Sequence, residues 1–150
     1  MAKFINYVFE RDGMRDLVLY AHILIGIALV AIPIFIISES RKKSRLLKPL
    51  SFVAAALGWL TLLPSGKLYI TFYPATKTLI KAGTMSWAHN VIMETKEHWG
   101  LLLPVIAAIA AGLVFSGKIK ESRRWWALLA VLAASIGIMG MIVTSGAKYG

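Results

Sequence analysis

Residues 17–37 read LVLYAHILIGIALVAIPIFII, a run of 21 residues in which His22 is the only ionisable side chain. Three further apolar runs follow, at 46–63, 99–115 and 125–143. A helix needs about 20 residues to cross a hydrocarbon core of about 30 Å. Hydrophobic residues make up 58% of the 150-residue chain and charged residues only 16%, which leaves too little polar surface to cover four such helices in water. We therefore expect one all-α integral membrane domain over 1–150, folded as a four-helix bundle.

The connections between these helices differ sharply in charge. Loops 38–45 and 116–124, together with Lys48, hold nine basic and two acidic residues, a net charge of +7. The rest of the chain holds eight basic and five acidic residues and supplies the remaining +3 of the total +10. Because Lys and Arg concentrate in short cytoplasmic loops, both tips are predicted to be cytoplasmic and both termini extracytoplasmic. The positive charge therefore indicates membrane topology and not nucleic-acid binding.

The two halves of the chain resemble each other as tandem helical hairpins. Each half has a histidine at the outer end of a helix and closes on Ser-Gly followed by Lys and Tyr, at 65–69 and 145–149. Two hairpins with the same orientation predict a parallel repeat, although any two hydrophobic hairpins share some of these features. In the outer loop, 64–97, we expect an extracytoplasmic amphipathic helix over 84–98 that leads into the third span.

The histidines are the strongest candidates for chemistry. His22 lies about five residues inside the first span and His98 lies at nearly the same depth on the third; an ionisable residue inside a span is by default a functional-site hypothesis. Diagonal helices of such a bundle are about 11–14 Å apart, which suits an iron porphyrin held by one imidazole on each face. The chain has no cysteine, which excludes covalently attached haem and thiolate metal sites. We therefore predict one bis-histidine haem b near the outer leaflet, with a cross-helix hydrogen bond as the alternative role for His22 and a solvated boundary position for His98.

With these features the chain resembles small multi-span b-type cytochromes and the haem-bearing membrane anchor subunits of respiratory complexes. The likeness lies in the four helices, in His22 and His98 on alternate helices, and in the helix glycines Gly26, Gly58 and Gly112. The resemblance implies that these glycines leave room for the cofactor. The family's pattern of two histidines on each of two helices, which binds two haems, is absent. The chain is also similar to a loose prokaryotic family of short membrane proteins, which implies a prokaryotic plasma membrane.

The outer loop carries further candidate ligands. Glu94 lies one helical turn before His98 and could hold its second ring N–H, or form a solvated pair with it. Met85, His89 and Met93 share another face; thioether and imidazole suit copper(I), whereas methionine is also a general packing residue. His89 is in addition a reserve haem ligand should His98 face solvent. A chlorin held by one histidine is a further alternative.

The sequence therefore predicts a cytochrome b-like membrane subunit that passes electrons to or from a quinone or a partner redox subunit. The alternative is a cofactor-free accessory subunit of a larger membrane enzyme complex. No catalytic motif for an autonomous enzyme is present, since phosphate loops, nucleophile elbows and zinc-protease motifs are all missing. In either case we expect other membrane subunits as partners.

Overall fold

The computed structural model describes the backbone of residues 2–42 and 44–149 and the side chains of residues 12–42 and 44–149. Lys43, which belongs to the first basic tip, lies outside the described residues. The described chain forms four long helices, α1 (Ala2–Lys42), α2 (Leu47–Ala82), α3 (Ala88–Phe115) and α4 (Ile119–Tyr149). Each of them is long and apolar enough to cross a membrane. This confirms the all-α class and the number of candidate membrane helices.

Three helices extend far beyond the predicted spans, and α1 begins as early as Ala2. α2 continues to Ala82 and α3 begins at Ala88, so the predicted outer loop 64–97 is helical except for the connection at 83–87. The helix expected over 84–98 is the first part of α3 and not a separate helix. Hydropathy marks only the residues that lie in hydrocarbon, whereas a helix continues while each N–H finds a carbonyl one turn back. The 36 residues of α2 span roughly 50 Å, well beyond an apolar core of about 30 Å.

The helices pack as a four-membered ring. α1 packs against α2 and α4, and α3 packs against the same two helices from the opposite side. Among the described residues no Cα atom of α1 lies within 8 Å of a Cα atom of α3. The helices that carry His22 and His98 therefore lie on one diagonal of the bundle.

Side-chain size is distributed as expected for helices in lipid. The interior positions Ala54, Ala107 and Ala110 are fully buried. Large apolar side chains face outward, among them Leu24, Phe52, Val131 and Met141. Between membrane helices, close packing replaces the hydrophobic effect, and small residues allow the backbones to approach. The interior of the bundle therefore combines these small residues with a set of large buried side chains, among them Leu29, Ile36 and Trp126.

A close approach of two helix backbones involves Gly58 on α2. A Cβ atom at this position would lie 3.2 Å from the Cα of Pro104 and 3.3 Å from the Cβ of Ala107, both on α3. A backbone atom cannot move aside as the end of a flexible side chain can. Gly58 therefore determines how near α2 and α3 lie, and it packs against a helix and not against a cofactor.

The two ends of the bundle differ in character. At the basic end, which carries residues 38–48 and 116–124, Gly117 adopts φ +75° in the turn between α3 and α4. There the Arg123 guanidinium donates to the Ser40 hydroxyl at 2.8 Å and to the Ser40 carbonyl at 3.0 Å. Arg123 thus ties the start of α4 to the last turn of α1. The opposite end, at which residues 83–87 join α2 to α3, is called the polar end below.

Replacing Gly58 with leucine should lower the free energy of unfolding by about 1–3 kcal/mol, because the added atoms overpack a backbone contact. Thermal unfolding of the purified protein in detergent measures the effect. Gly112→Leu is the matched control, since Gly112 is exposed and has no atom within 4 Å of its Cβ position. Equal melting temperatures for the two variants would show that the contact of Gly58 with α3 does not limit the stability of the bundle.

Candidate functional site

Both π-helical segments of the described chain lie at the polar end. They cover Leu68–Phe72 in α2 and Ala88–Met93 in α3. The first immediately precedes Pro74, which has no N–H to donate to the carbonyl four residues back and whose ring crowds that carbonyl. The regular ladder of helix hydrogen bonds is therefore interrupted at this point. Segments of π-helix are rare and are frequently found at functional sites.

A line of titratable side chains connects these two segments. The Tyr73 hydroxyl lies 2.8 Å from Nδ1 of His89, and the Nε2 of His89 lies 3.8 Å from Oε1 of Glu94. When the phenol donates to Nδ1, the imidazole carries its own proton on Nε2, facing the carboxylate. The side chain of His89 is 3% exposed and that of Glu94 is 47% exposed. The line therefore runs from a water-accessible carboxylate to a buried phenol.

Two further side chains extend this line. The rings of Tyr69 and Tyr73 stack with centroids 5.5 Å apart and planes 20° apart. Glu97 lies near both tyrosines, and its Oε1 is buried without a hydrogen-bond partner. The sequence pattern does not mark Tyr69, Tyr73 or Glu97 as site residues, because it predicts a loop with one short helix over residues 64–97.

His22 occupies a second polar position, on the α1 side. Its Nδ1 lies 3.1 Å from the Ser65 hydroxyl, which itself donates to the Thr61 carbonyl at 2.6 Å. Since the serine proton is used in that bond, the hydroxyl accepts from Nδ1–H and the Nε2 of His22 keeps its lone pair. The cross-helix hydrogen bond that was the alternative role for His22 is therefore present. Ser65 belongs to the Ser-Gly motif that closes the first half.

Lys96 brings a positive charge close to His22. It lies near the imidazole, and its Cε would be 3.5 Å from a Cβ atom placed on Gly140 of α4. The sequence analysis placed Lys96 in an outer loop. Its position seven residues before Leu103, which is buried, puts both on the same face of a helix. That spacing was the available signal that Lys96 belongs to the interior face of α3.

His98 lies on a different face of α3 from this cluster. Its Nδ1 donates to the Glu94 carbonyl at 2.7 Å, and the side chain is exposed. At 100° per residue, position 98 points away from the face that carries Leu103 and Ala107. The carboxylate of Glu94 faces His89, so Glu94 accepts the hydrogen bond from His98 through its backbone carbonyl only.

These positions test whether a haem fits between His22 and His98. Each imidazole leaves Nε2 free, as an axial ligand requires, but the two side chains do not face a common space within the bundle. The reserve ligand His89 has its Nδ1 bonded to Tyr73 and its Nε2 turned to Glu94. Gly58 packs against α3, and Gly112 is exposed. A Cβ atom on Gly26 would have no neighbour within 4 Å, so this glycine lies in open space. The residues of a single chain therefore do not fit a bis-histidine haem.

The methionines of the predicted copper set pack in an apolar cluster. Met93 is buried, and it forms a cluster with Tyr73, Ile80, Ala88 and Val143, against which Met85 packs. Among the described residues no group of three or more His, Asp or Glu side chains is placed to hold a metal ion. Met85 and Met93 thus pack against apolar neighbours, and copper(I) binding by Met85, His89 and Met93 stays a prediction.

Comparison with known proteins finds no match: no family model, curated protein or solved structure is significantly similar to this chain. Function must therefore be argued from the cluster at the polar end.

Replacing Tyr73 with phenylalanine should lower the free energy of unfolding by about 1–3 kcal/mol, because Nδ1 of the buried His89 loses its partner. Thermal unfolding in detergent measures this loss. Tyr149→Phe is the control, since Tyr149 is 70% exposed and forms no side-chain hydrogen bond within the described chain. A Tyr73→Phe protein as stable as the control would show that the bond contributes nothing.

Proposed function

We propose that this chain is a membrane subunit of an electron-transfer assembly and that it exchanges protons with a quinone or a partner's redox centre at the polar end. The supporting observation is the line from Glu94 through His89 to Tyr73. The electron-transfer part of the proposal comes from the resemblance to haem-bearing anchor subunits. The proton-exchange part comes from the geometry of the cluster.

The cluster has the composition that proton exchange requires. Quinone reduction consumes two protons for every two electrons, and quinol oxidation releases them. Chains of His and carboxylate side chains are the usual proton paths in membrane proteins, and histidine changes charge nearest to neutral pH. In this cluster one end, Glu94, contacts water and the other end, Tyr73, is buried.

Protons can move along this line without charging the imidazole of His89. The Tyr73 phenol passes its proton to Nδ1 of His89 while Nε2–H passes its proton to the Glu94 carboxylate, so the imidazole stays neutral. In the same movement the phenol oxygen takes a proton from the donor, such as a quinol hydroxyl whose electrons pass to the partner's redox centre, so no phenolate forms. Glu94 then releases its proton to water, and the imidazole returns to its Nε2–H tautomer before the next transfer. The 3.8 Å between Nε2 and Oε1 exceeds a direct hydrogen bond, and a water molecule or a small side-chain movement completes the path.

The resemblance to anchor subunits also favours other membrane subunits as partners. The outward faces of the helices carry many large apolar side chains, which either lipid or a neighbouring subunit can cover. Within this proposal the chain forms two tandem hairpins whose basic tips are cytoplasmic, and the polar end faces the opposite side of the membrane.

In membranes that contain the assembly, His89→Gln should lower the rate of quinol-dependent electron transfer by roughly 10²-fold, the usual contribution of one positioned proton-transfer group. Tyr73→Phe should act in the same direction. The measurement is the oxidation of an added quinol by membranes from cells that express each variant in place of the native chain. His98→Gln is the control, because His98 is exposed and lies on the other face of α3.

The same membranes separate the proposal from its rivals. A rate that falls when the chain is removed, but stays unchanged in His89→Gln and Tyr73→Phe, would assign the chain to the cofactor-free accessory class. The reduced-minus-oxidised absorption spectrum tests the haem hypothesis. A haem band that disappears in both His22→Ala and His98→Ala would show ligation that a single chain does not accommodate.

The topology is testable because the chain has no cysteine, so any introduced thiol is unique. Thr84→Cys at the polar end should react with a membrane-impermeant maleimide in intact cells. Ser116→Cys, at the basic end and equally exposed, should react only after the membrane is permeabilised. The reverse pattern would place the basic tips outside and contradict the assignment.

A further inference from the structure

A cavity of about 180 Å³ opens at the basic end of the bundle, far from the cluster described above. It lies between the start of α2 and the start of α4, and α3 supplies one wall. Its lining consists of Ser44, Arg45, Leu47, Lys48, Val114 and Ile119. We call it the basic-end pocket. At about 30 Å³ per water molecule in the liquid, the volume suits a phosphate group with part of a glycerol.

The lining is divided into a polar rim and an apolar floor. Arg45 and Lys48 are exposed and, within the described chain, form no ion pair with a carboxylate. The Ser44 hydroxyl accepts a hydrogen bond from the backbone N–H of Leu46 at 3.2 Å. Leu47 and Val114 are 4% and 2% exposed. A ligand that matches this lining has an anionic head and an apolar body.

The helix directions add to the positive potential of the pocket. α2 and α4 both begin at this end, so the partial positive charges of two helix N-termini lie beside it. In the first turn of α2 the Leu47 N–H donates to the Ser44 carbonyl at 3.3 Å and Pro49 has no N–H, so the Lys48 N–H is the one that remains to bind an acceptor. Glu121 is the acidic residue in the first turn of α4, and it does not line the pocket.

Two buried polar atoms without partners lie further along α2 and α4 from the residues that line the pocket. The Ser51 hydroxyl and the indole N–H of Trp126 belong to fully buried side chains, and neither has a hydrogen-bond partner. Ser51 is one turn beyond Leu47 on the same face of α2, and Trp126 is two turns beyond Ile119 on the same face of α4. Buried polar groups are usually hydrogen-bonded, but neither side chain lines the pocket, so the proposal below rests on the lining residues alone.

We propose that the basic-end pocket binds the phosphate of an anionic phospholipid, with Arg45 and Lys48 at the phosphate and the apolar floor beneath the glycerol. The exposed rings of Phe52 and Phe115 flank the same helices and contact the acyl chains. Basic pockets between membrane helices on the cytoplasmic side are known to take anionic lipid headgroups. A free phosphate would contact the basic residues of the rim but would make no contact with the apolar residues of the floor.

The test compares lipids with the same acyl chains but different headgroups. Purified protein in a non-ionic detergent is titrated with phosphatidylglycerol, with phosphatidylcholine and with inorganic phosphate, and bound lipid is counted by native mass spectrometry. We expect phosphatidylglycerol to bind at least tenfold more tightly than phosphatidylcholine. The double variant Arg45→Gln/Lys48→Gln should lose that preference, because each basic residue near a lipid phosphate strengthens binding severalfold.

A matched control separates a pocket from general charge attraction. Lys118→Gln/Lys120→Gln removes the same charge from exposed residues of the same end that do not line the pocket. This control should keep the lipid preference within twofold of the unmodified protein. An equal loss in both double variants, or no headgroup preference in the unmodified protein, would overturn the proposal. Displacement of phosphatidylglycerol by millimolar phosphate would overturn the lipid assignment in favour of a free-anion site.

Discussion

The close approach of α2 and α3 at Gly58 is the contact on which the polar end depends. Because Gly58 has no Cβ, the backbone of α2 lies against Pro104 of α3. Fifteen residues further along α2, Tyr73 reaches across to His89 at the start of α3. A wider spacing in the membrane would separate the phenol from the imidazole, since neither side chain can lengthen. The packing of Gly58 against α3 in the hydrocarbon layer thus helps to position the hydrogen bond between Tyr73 and His89 at the polar end.

The transmembrane part of the fold was predictable because hydrophobic length is a strong signal. The run at 17–37 needs no tertiary information to be recognised as a span, and the structure has a helix there. The extensions of α2 and α3 were not predictable in the same way. Residues 64–82 mix polar and apolar side chains, and their helical state depends on packing against α4 and on the π-helical segment before Pro74.

The candidate site was predicted only in part, and helical phase explains the difference. His22 was singled out by its position in a span, and it is held by Ser65. His98 was chosen by depth alone, and depth does not determine which face of a helix a residue occupies. Counting back from Leu103 in turns of the helix places Lys96 inside the bundle and His98 outside it. The pair of histidines was therefore equivalent in sequence but not in space.

One carboxylate oxygen of Glu97 is buried at the polar end without a hydrogen-bond partner, while the carboxylate also lies beside the Tyr69 hydroxyl. A buried acceptor without a donor costs about 1–3 kcal/mol, and more when it is charged. Such a cost persists where a ligand, a partner or ordered water supplies the donor. The stacked Tyr69 and Tyr73 lie close to the same carboxylate, so a group that reaches Glu97 also meets the buried end of the relay. A quinone or a partner subunit that donates to Glu97 would thereby be positioned where its protons can enter the line to Glu94.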